Sequence, residues 1–496
     1  MSIMNAMKFF TKTIILAVIS INGFAQGAAL KKTEQKGQPL NLKVNIKGMT
    51  GGQCLLGHHF GDKNSIIDTA KINTSGWMEF KNKEAVPGGI YFIVLPSKKY
   101  FEIILTDDQN FSLETDTTDF IRKTKISGSD ENKFFYEYLN YLLDKQKLLE
   151  PIQLKLKSIK NRDSIRIFQK QAAGIDSTVK VYKRAYYKTN HPKTFMAEVL
   201  AAMDEPDQIP YDKCPKKANG TIDSTFNYWN FRNHYWDGMN FSDERLVRTP
   251  VYANKMKFYI EKLTSPHPDS IIKSLDWLLE KTKTANDLFK YTLATNTVTY
   301  ETSKVMGYDA IFVHLVKKYY ETNQANWITE EQNTKIINRA KQLDYSLMGK
   351  TAVNIMLPDT SNKLTMLQTV KGKYTVLIFW EPTCSHCKKE MPILKNYYDS
   401  LRSAGISLQV YAILSDMDTV NWKKFVKENN LNWVNVKGKD PQELQNAKYY
   451  YDVYSTPTLY VLDEKKKIIG KRLDVDGLKG FLNRQITKDK KADGGN

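Results

Sequence analysis

A chain that runs Tyr374-Thr-Val-Leu-Ile-Phe-Trp380, turns at Pro382 and then sets Cys384-Ser-His-Cys387 ahead of Lys-Lys-Glu-Met-Pro392 has few folds open to it. Val376 to Trp380 is a short apolar run, the pattern of a strand buried on both faces. Pro382 breaks that run. The spacing of the two cysteines places both on the first turn of the helix that follows. Unpaired N–H groups concentrate partial positive charge there and favour a thiolate over a thiol. A strand, a break and a reactive helix start together imply thiol–disulfide exchange.

The rest of the chain bounds where such chemistry takes place. At 496 residues the length suggests about three domains, and 41% apolar content is enough to bury several cores. The net charge of +19 comes from scattered lysines, which describe a solvated surface. No zinc-finger or RNA-binding motif accompanies it, so nucleic acid is not expected as a partner. Lys8 and Lys12, the apolar Ile14–Ile21 and the small residues of Gly23-Phe24-Ala25 form a signal peptide pattern over residues 1–25, with cleavage expected after Ala25. The apolar stretch is shorter than the roughly 20 residues of a spanning helix. The mature protein is therefore expected in the periplasm, with no stable membrane insertion once the signal is removed.

Four cysteines do not make a disulfide scaffold. Cys384 and Cys387 are paired in sequence, whereas Cys54 and Cys214 are isolated and a bridge between them is left open. A CxxC in an exported protein points to redox chemistry, since zinc would need two further ligands. Cys54 lies near His58 and His59 but lacks a second thiolate, so no metal site is expected. No cofactor is expected beyond the redox-active Cys384–Cys387 pair itself.

The chain reads as multidomain. Residues 40–128 alternate short strands with Gly-rich turns, the pattern of an N-terminal antiparallel β module resembling a sandwich. Residues 131–345 have helical spacing, with an interruption expected near Pro151. The aromatic cluster Phe226, Tyr228, Trp229, Phe231, Tyr235 and Trp236 is read as packing. Residues 350–488 alternate strands and helices, a C-terminal α/β fold with a mixed sheet.

Phe379-Trp380, the CxxC on the next helix and Thr456-Pro457 ahead of a later hairpin jointly resemble the thioredoxin superfamily. The fuller string through Glu390 and Pro392 is similar to its exported TlpA/ResA-like branch, and the preceding modules resemble uncharacterised ones found ahead of such domains. The resemblance implies Cys384 as the exposed nucleophile and Cys387 as the resolving thiol. It implies a cis-proline at Pro457, with the Thr456 backbone and Trp380 at the substrate-binding surface, and Glu390 as an aid to proton transfer. Two positions depart from thioredoxin itself: the buried aspartate six residues before the first cysteine is Ile378, and the tryptophan just before that cysteine is Thr383.

His386, in the third position of the motif, is expected to tune the pair toward a more oxidising potential than a proline would. The reference range is about −270 mV for thioredoxin to about −120 mV for DsbA. The resulting reading is a periplasmic thiol–disulfide oxidoreductase, reduction slightly favoured over oxidation or isomerisation. Its expected partners are protein thiols and disulfides of the periplasm and an upstream redox partner. The alternative is a partner-binding or scaffolding protein with an auxiliary redox domain. A peroxidase site would want threonine three residues before Cys384, and that position is Glu381.

Overall fold

The computed structural model describes residues 37–493, so the expected signal peptide lies outside the described residues. The chain divides into two compact units, one running to Pro266 and including Lys273–Thr292, the other formed by His267–Ile272 and the chain from Leu293 onward.

The first unit begins with eight strands: β1 (Asn41–Lys47), β2 (Gln53–Phe60), β3 (Lys63–Lys71), β4 (Trp77–Lys81), β5 (Gly89–Val94), β6 (Tyr100–Leu105), β7 (Asn110–Asp116) and β8 (Lys125–Ser127). They form two four-stranded sheets, ordered β4-β1-β7-β8 and β3-β2-β5-β6. One pairing departs from the antiparallel expectation. β1 and β7 run parallel, from Asn41 opposite Asn110 to Lys47 opposite Asp116. A parallel pair requires a long crossover, and the whole second sheet lies in the connection between these two strands. Gly61, between β2 and β3, has φ +62°, and a Cβ there would fall 1.9 Å from the Tyr291 ring. Only glycine suits both the turn and the close approach.

Helix α1 (Asp130–Ser158) starts at the Ser129 cap and passes straight through Pro151, and the expected interruption comes instead at residues 159–161, before α2 (Arg162–Ala185). Pro151 and Lys147, whose carbonyl loses its helical partner there, are both exposed. Water can satisfy that carbonyl, which removes much of the reason for a break. Asn132 fastens α1 to β6, accepting from the Ile104 N–H at 2.8 Å and donating to the Ile104 carbonyl at 2.7 Å. The helices that follow are α3 (Phe195–Ala202), α4 (Phe226–Asn233), α5 (Pro250–Lys262), α6 (Pro268–Thr282), α7 (Asn286–Glu301), α8 (Asp309–Leu315) and α9 (Glu330–Asp344). The aromatic cluster splits: Tyr235 and Trp236 are core, while Tyr228 and Trp229 are exposed.

The second unit is built on a mixed sheet. After the short hairpin of β9 (Met356–Pro358) and β10 (Leu364–Met366) come β11 (Tyr374–Trp380), helix α10 (Ser385–Ser403), β12 (Leu408–Leu414), α11 (Thr419–Glu428), β13 (Val434–Lys437), α12 (Pro441–Tyr450), β14 (Thr458–Asp463), β15 (Ile468–Leu473) and α13 (Val475–Asp493). The sheet order is β13-β12-β11-β14-β15. β11 is parallel to β12 and antiparallel to β14. Alternate residues of β11 feed two cores. Val376, Ile378 and Trp380 pack with Met391, Leu394 and Leu478 on one face, and Leu377 and Phe379 pack with Leu444, Tyr451 and Tyr460 on the other.

Helical residues of this unit are anchored to the sheet by buried charge. Lys471 of β15 donates to Asp309 Oδ2 at 2.5 Å and to the Ser346 carbonyl at 2.6 Å, and it is 2% exposed. Arg339 of α9 pairs with Asp452, as does Arg472. Removing one member of a buried pair leaves an uncompensated charge in low dielectric. Lys471→Met alone is expected to lower stability by about 3–5 kcal/mol in urea denaturation followed by tryptophan fluorescence. Combining it with Asp309→Leu should recover part of that loss, and a double variant worse than the single would contradict this reading.

Candidate functional site

β11 occupies the middle of the sheet and is buried at all seven positions, so the chain that leaves it at Trp380 is fixed in place. The Ser415 N–H donates to the Trp380 carbonyl at 2.8 Å and extends the β11–β12 pairing to the very end of the strand. The exit lies at the carboxyl ends of the parallel strands, where open α/β sheets place their ligand sites.

After Glu381-Pro382-Thr383, Cys384 stands as the cap of α10, with φ −67° and ψ 123°. Its Sγ accepts the Cys387 N–H at 3.4 Å, satisfying one of the donors that a helix start leaves unpaired. Cys384 is half-buried and Cys387 is 0% exposed. Both are free thiols. That difference in environment separates their acidities. At Cys384 burial raises the pKa, but the Cys387 N–H and thiol, Thr456 and the His386 N–H together outweigh it, and the net shift is downward. At Cys387 burial dominates and the pKa is pushed up to about 12, against a lowering contribution from the Glu381 N–H. The arrangement holds one thiol ready to ionise at the surface and a second one protonated beneath it.

The Thr456–Pro457 bond is cis, and the Thr456 carbonyl lies 3.4 Å from Cys384 Sγ. Cys384, Cys387, Thr456 and Pro457 are therefore brought together from the helix start and the loop ahead of β14. The other residues singled out from sequence are placed differently. His386 is exposed on the first turn of α10. Glu390 accepts the Val475 N–H through Oε2 at 3.0 Å, capping the start of α13. Trp380 is 0% exposed, packed against Phe425 with ring centroids 5.2 Å apart, and lies beneath the surface that carries the cysteines. Ile378 sits in the apolar core under α10 and brings no carboxylate there. Cys54 and Cys214 are separate buried free thiols, the former pushed up to about 11 by burial and the latter donating to the Pro210 carbonyl at 3.5 Å.

The residue that sequence reasoning missed is Glu381. Its Oε1 accepts from the Thr456 hydroxyl at 3.1 Å, so a carboxylate lies against the cis-proline loop. Nearby Asp416 is raised first by burial and further by the Glu381 charge. Position 381 carried only a weak signal, an acidic residue next to a proline, because its partner is 75 residues away in sequence. Among the described residues no group of three His, Cys, Asp or Glu side chains could hold a metal ion, and no helix is long and apolar enough to cross a membrane.

Three family models match along the chain: a domain of unknown function (DUF4369) over residues 40–135, a second (DUF5106) over residues 183–346, and the AhpC/TSA family over residues 348–471. Thiol-disulfide oxidoreductase ResA of Bacillus subtilis is 31% identical over 121 residues, covering 24% of this chain and 64% of that protein. The protein of the same name from Bacillus thuringiensis subsp. konkukian is 30% identical over 122 residues, 25% of this chain and 67% of that protein. The chain belongs to the TlpA/ResA-like thioredoxin superfamily. The chain thus spans a little under two thirds of the Bacillus subtilis relative, and the kinship lies in its C-terminal, thioredoxin-like domain. A solved domain of a possible thiol-disulfide isomerase from Cytophaga hutchinsonii is 36% identical, with 29% of this chain covering 96% of that one at a TM-score of 0.27.

The opposite shifts of the two ResA-like thiols predict a pH dependence. The lowered pKa of Cys384 means that its thiolate fraction, and with it its alkylation rate, rises with pH through a midpoint below that of an ordinary cysteine, about 8.5. Cys387 should stay unmodified in the folded protein throughout that range. Iodoacetamide labelling across pH 5 to 10, read by peptide mass analysis, checks both. An equal midpoint for the two thiols would contradict it.

Proposed function

We propose that the chain is a periplasmic thiol–disulfide oxidoreductase that exchanges disulfides with exported proteins through Cys384 and Cys387, reduction slightly ahead of oxidation or isomerisation. The observation that carries this reading is the asymmetric pair beside Thr456-Pro457: a half-buried Cys384 with a lowered pKa above a buried Cys387 with a raised one. The Bacillus relatives named thiol-disulfide oxidoreductases support it.

In the reductive direction the Cys384 thiolate attacks one sulfur of a substrate disulfide and displaces the other as a thiolate, leaving a mixed disulfide. Cys387, once deprotonated, attacks Cys384 Sγ. The bond to the substrate sulfur breaks, the substrate leaves as its second thiolate, and an internal Cys384–Cys387 disulfide remains. An upstream redox partner must then return two electrons. The half-buried Thr456-Pro457 loop beside Cys384 would meet an extended peptide through its backbone, a mode that tolerates varied sequences. His386 at the helix surface would bias the potential through its charge, and Glu390 would hold the start of α13 close to the active helix.

The test is turnover. With dithiothreitol as reductant, the full chain should accelerate insulin reduction, Cys384→Ser should abolish the acceleration, and a Cys54→Ser/Cys214→Ser variant should retain it. A wild-type protein that neither reduces insulin nor reshuffles a scrambled disulfide substrate would overturn the proposal.

A further inference from the structure

The exchange just proposed leaves one chemical problem at the site. Cys387 must lose a proton before it can attack Cys384, yet it is fully buried, and Ile378 in the same core carries no carboxylate. Glu390 is engaged with the Val475 N–H. The carboxylate that reaches the cis-proline loop is the one on the other side of the cysteines.

Glu381 leaves the end of β11 half-buried, and its two ends meet the dithiol differently. Its backbone N–H acts to lower the Cys387 pKa against burial. Its Oε1 accepts the Thr456 hydroxyl at 3.1 Å. The Thr456 carbonyl lies 3.4 Å from Cys384 Sγ, and the Thr456 side chain acts to lower the pKa of both cysteines. A hydroxyl that donates to a carboxylate keeps its lone pairs free to accept, so it can take a thiol proton while passing its own onward. The charge of Glu381 is felt by Asp416 in the loop after β12, and Asp416 in turn feels Asp418 and Lys448 of α12, whose ammonium donates to the Ser415 carbonyl at 2.6 Å.

We propose that Glu381, acting through the Thr456 hydroxyl, is the proton acceptor for Cys387 in the resolving step. The inference rests on the oxidoreductase reading above. In the mixed disulfide, the Cys387 proton passes to Thr456 Oγ1 as the Thr456 proton passes to Glu381 Oε1. The Cys387 thiolate then attacks Cys384 Sγ, the Cys384–substrate S–S bond breaks and its electron pair leaves on the substrate sulfur. Glu381, now a carboxylic acid, returns its proton by the same hydroxyl to that departing thiolate. The chain's dithiol is oxidised by two electrons, the substrate disulfide is reduced, and Glu381 ends as it began. Glu381 works through Thr456 and is in that sense a positioning residue for the reaction.

The two steps can be watched separately with the full chain. Reduced protein mixed with equimolar 5,5′-dithiobis(2-nitrobenzoate) should release one nitrothiobenzoate as Cys384 attacks and a second as Cys387 resolves. Glu381→Gln and Thr456→Val should each slow the second release about tenfold or more, as removal of an acid–base group does, while slowing the first far less. The wild-type pH profile of the second release should lose its acidic limb in Glu381→Gln and regain it in Glu381→Asp. A second release unchanged in rate and pH profile in Glu381→Gln, or one slowed by Glu390→Gln and not by Glu381→Gln, overturns the relay. If the first release does not come from Cys384, the oxidoreductase reading itself fails, whatever the second phase does.

Discussion

The strand Tyr374–Trp380 is buried along its whole length, one set of alternate side chains in each of two cores, and that double burial fixes where the chain must turn. Because Trp380 is held by both packing and the Ser415 N–H, the three residues after it have little freedom, and Cys384 arrives as the cap of α10. A cysteine in that position meets N–H groups with no helical partner, and their attraction for negative charge overcomes the burial that would otherwise keep the thiol protonated. One turn deeper, Cys387 sits in the same core as Val376 and Met391, and there burial wins. The same apolar packing that positions the pair therefore also makes its two members unequal.

That inequality gives the pair a direction of attack and also a difficulty. Burial holds the Cys387 proton on, so fast resolution calls for a proton acceptor. A polar path from Thr456 to Glu381 provides one without placing a charge inside the core, where an unpaired carboxylate would be costly. The position that a buried aspartate would fill is Ile378, packed beneath α10, and the carboxylate proposed as acceptor belongs to the residue just beyond the strand's end.

How far the sequence could be read depended on how local the signal was. The apolar run into Pro382 and the CxxC on a helix start are written in adjacent residues, and the structure has them in place. The parallel pairing of β1 with β7 was not legible, since alternation marks a strand but not its neighbour. Pro151 misled because a proline breaks a helix only where the orphaned carbonyl cannot reach water, and exposure is a tertiary property. Glu381 was passed over for a similar reason. Nothing next to it in the chain shows that Thr456 will lie 3.1 Å away. The helical anchors Asp309 and Arg339 were equally silent, their partners Lys471 and Asp452 being more than a hundred residues distant.

The central claim is that Cys384 alone makes the first bond to a substrate sulfur and Cys387 alone breaks it. The most direct measurement is peptide mapping of the adduct formed when a Cys387→Ala variant of the full chain is incubated with a disulfide-bonded protein and quenched in acid. The account predicts a stable mixed disulfide carried by Cys384, absent from wild type because resolution removes it. An adduct on Cys54 or Cys214, or no thiol-dependent adduct at all, would contradict it.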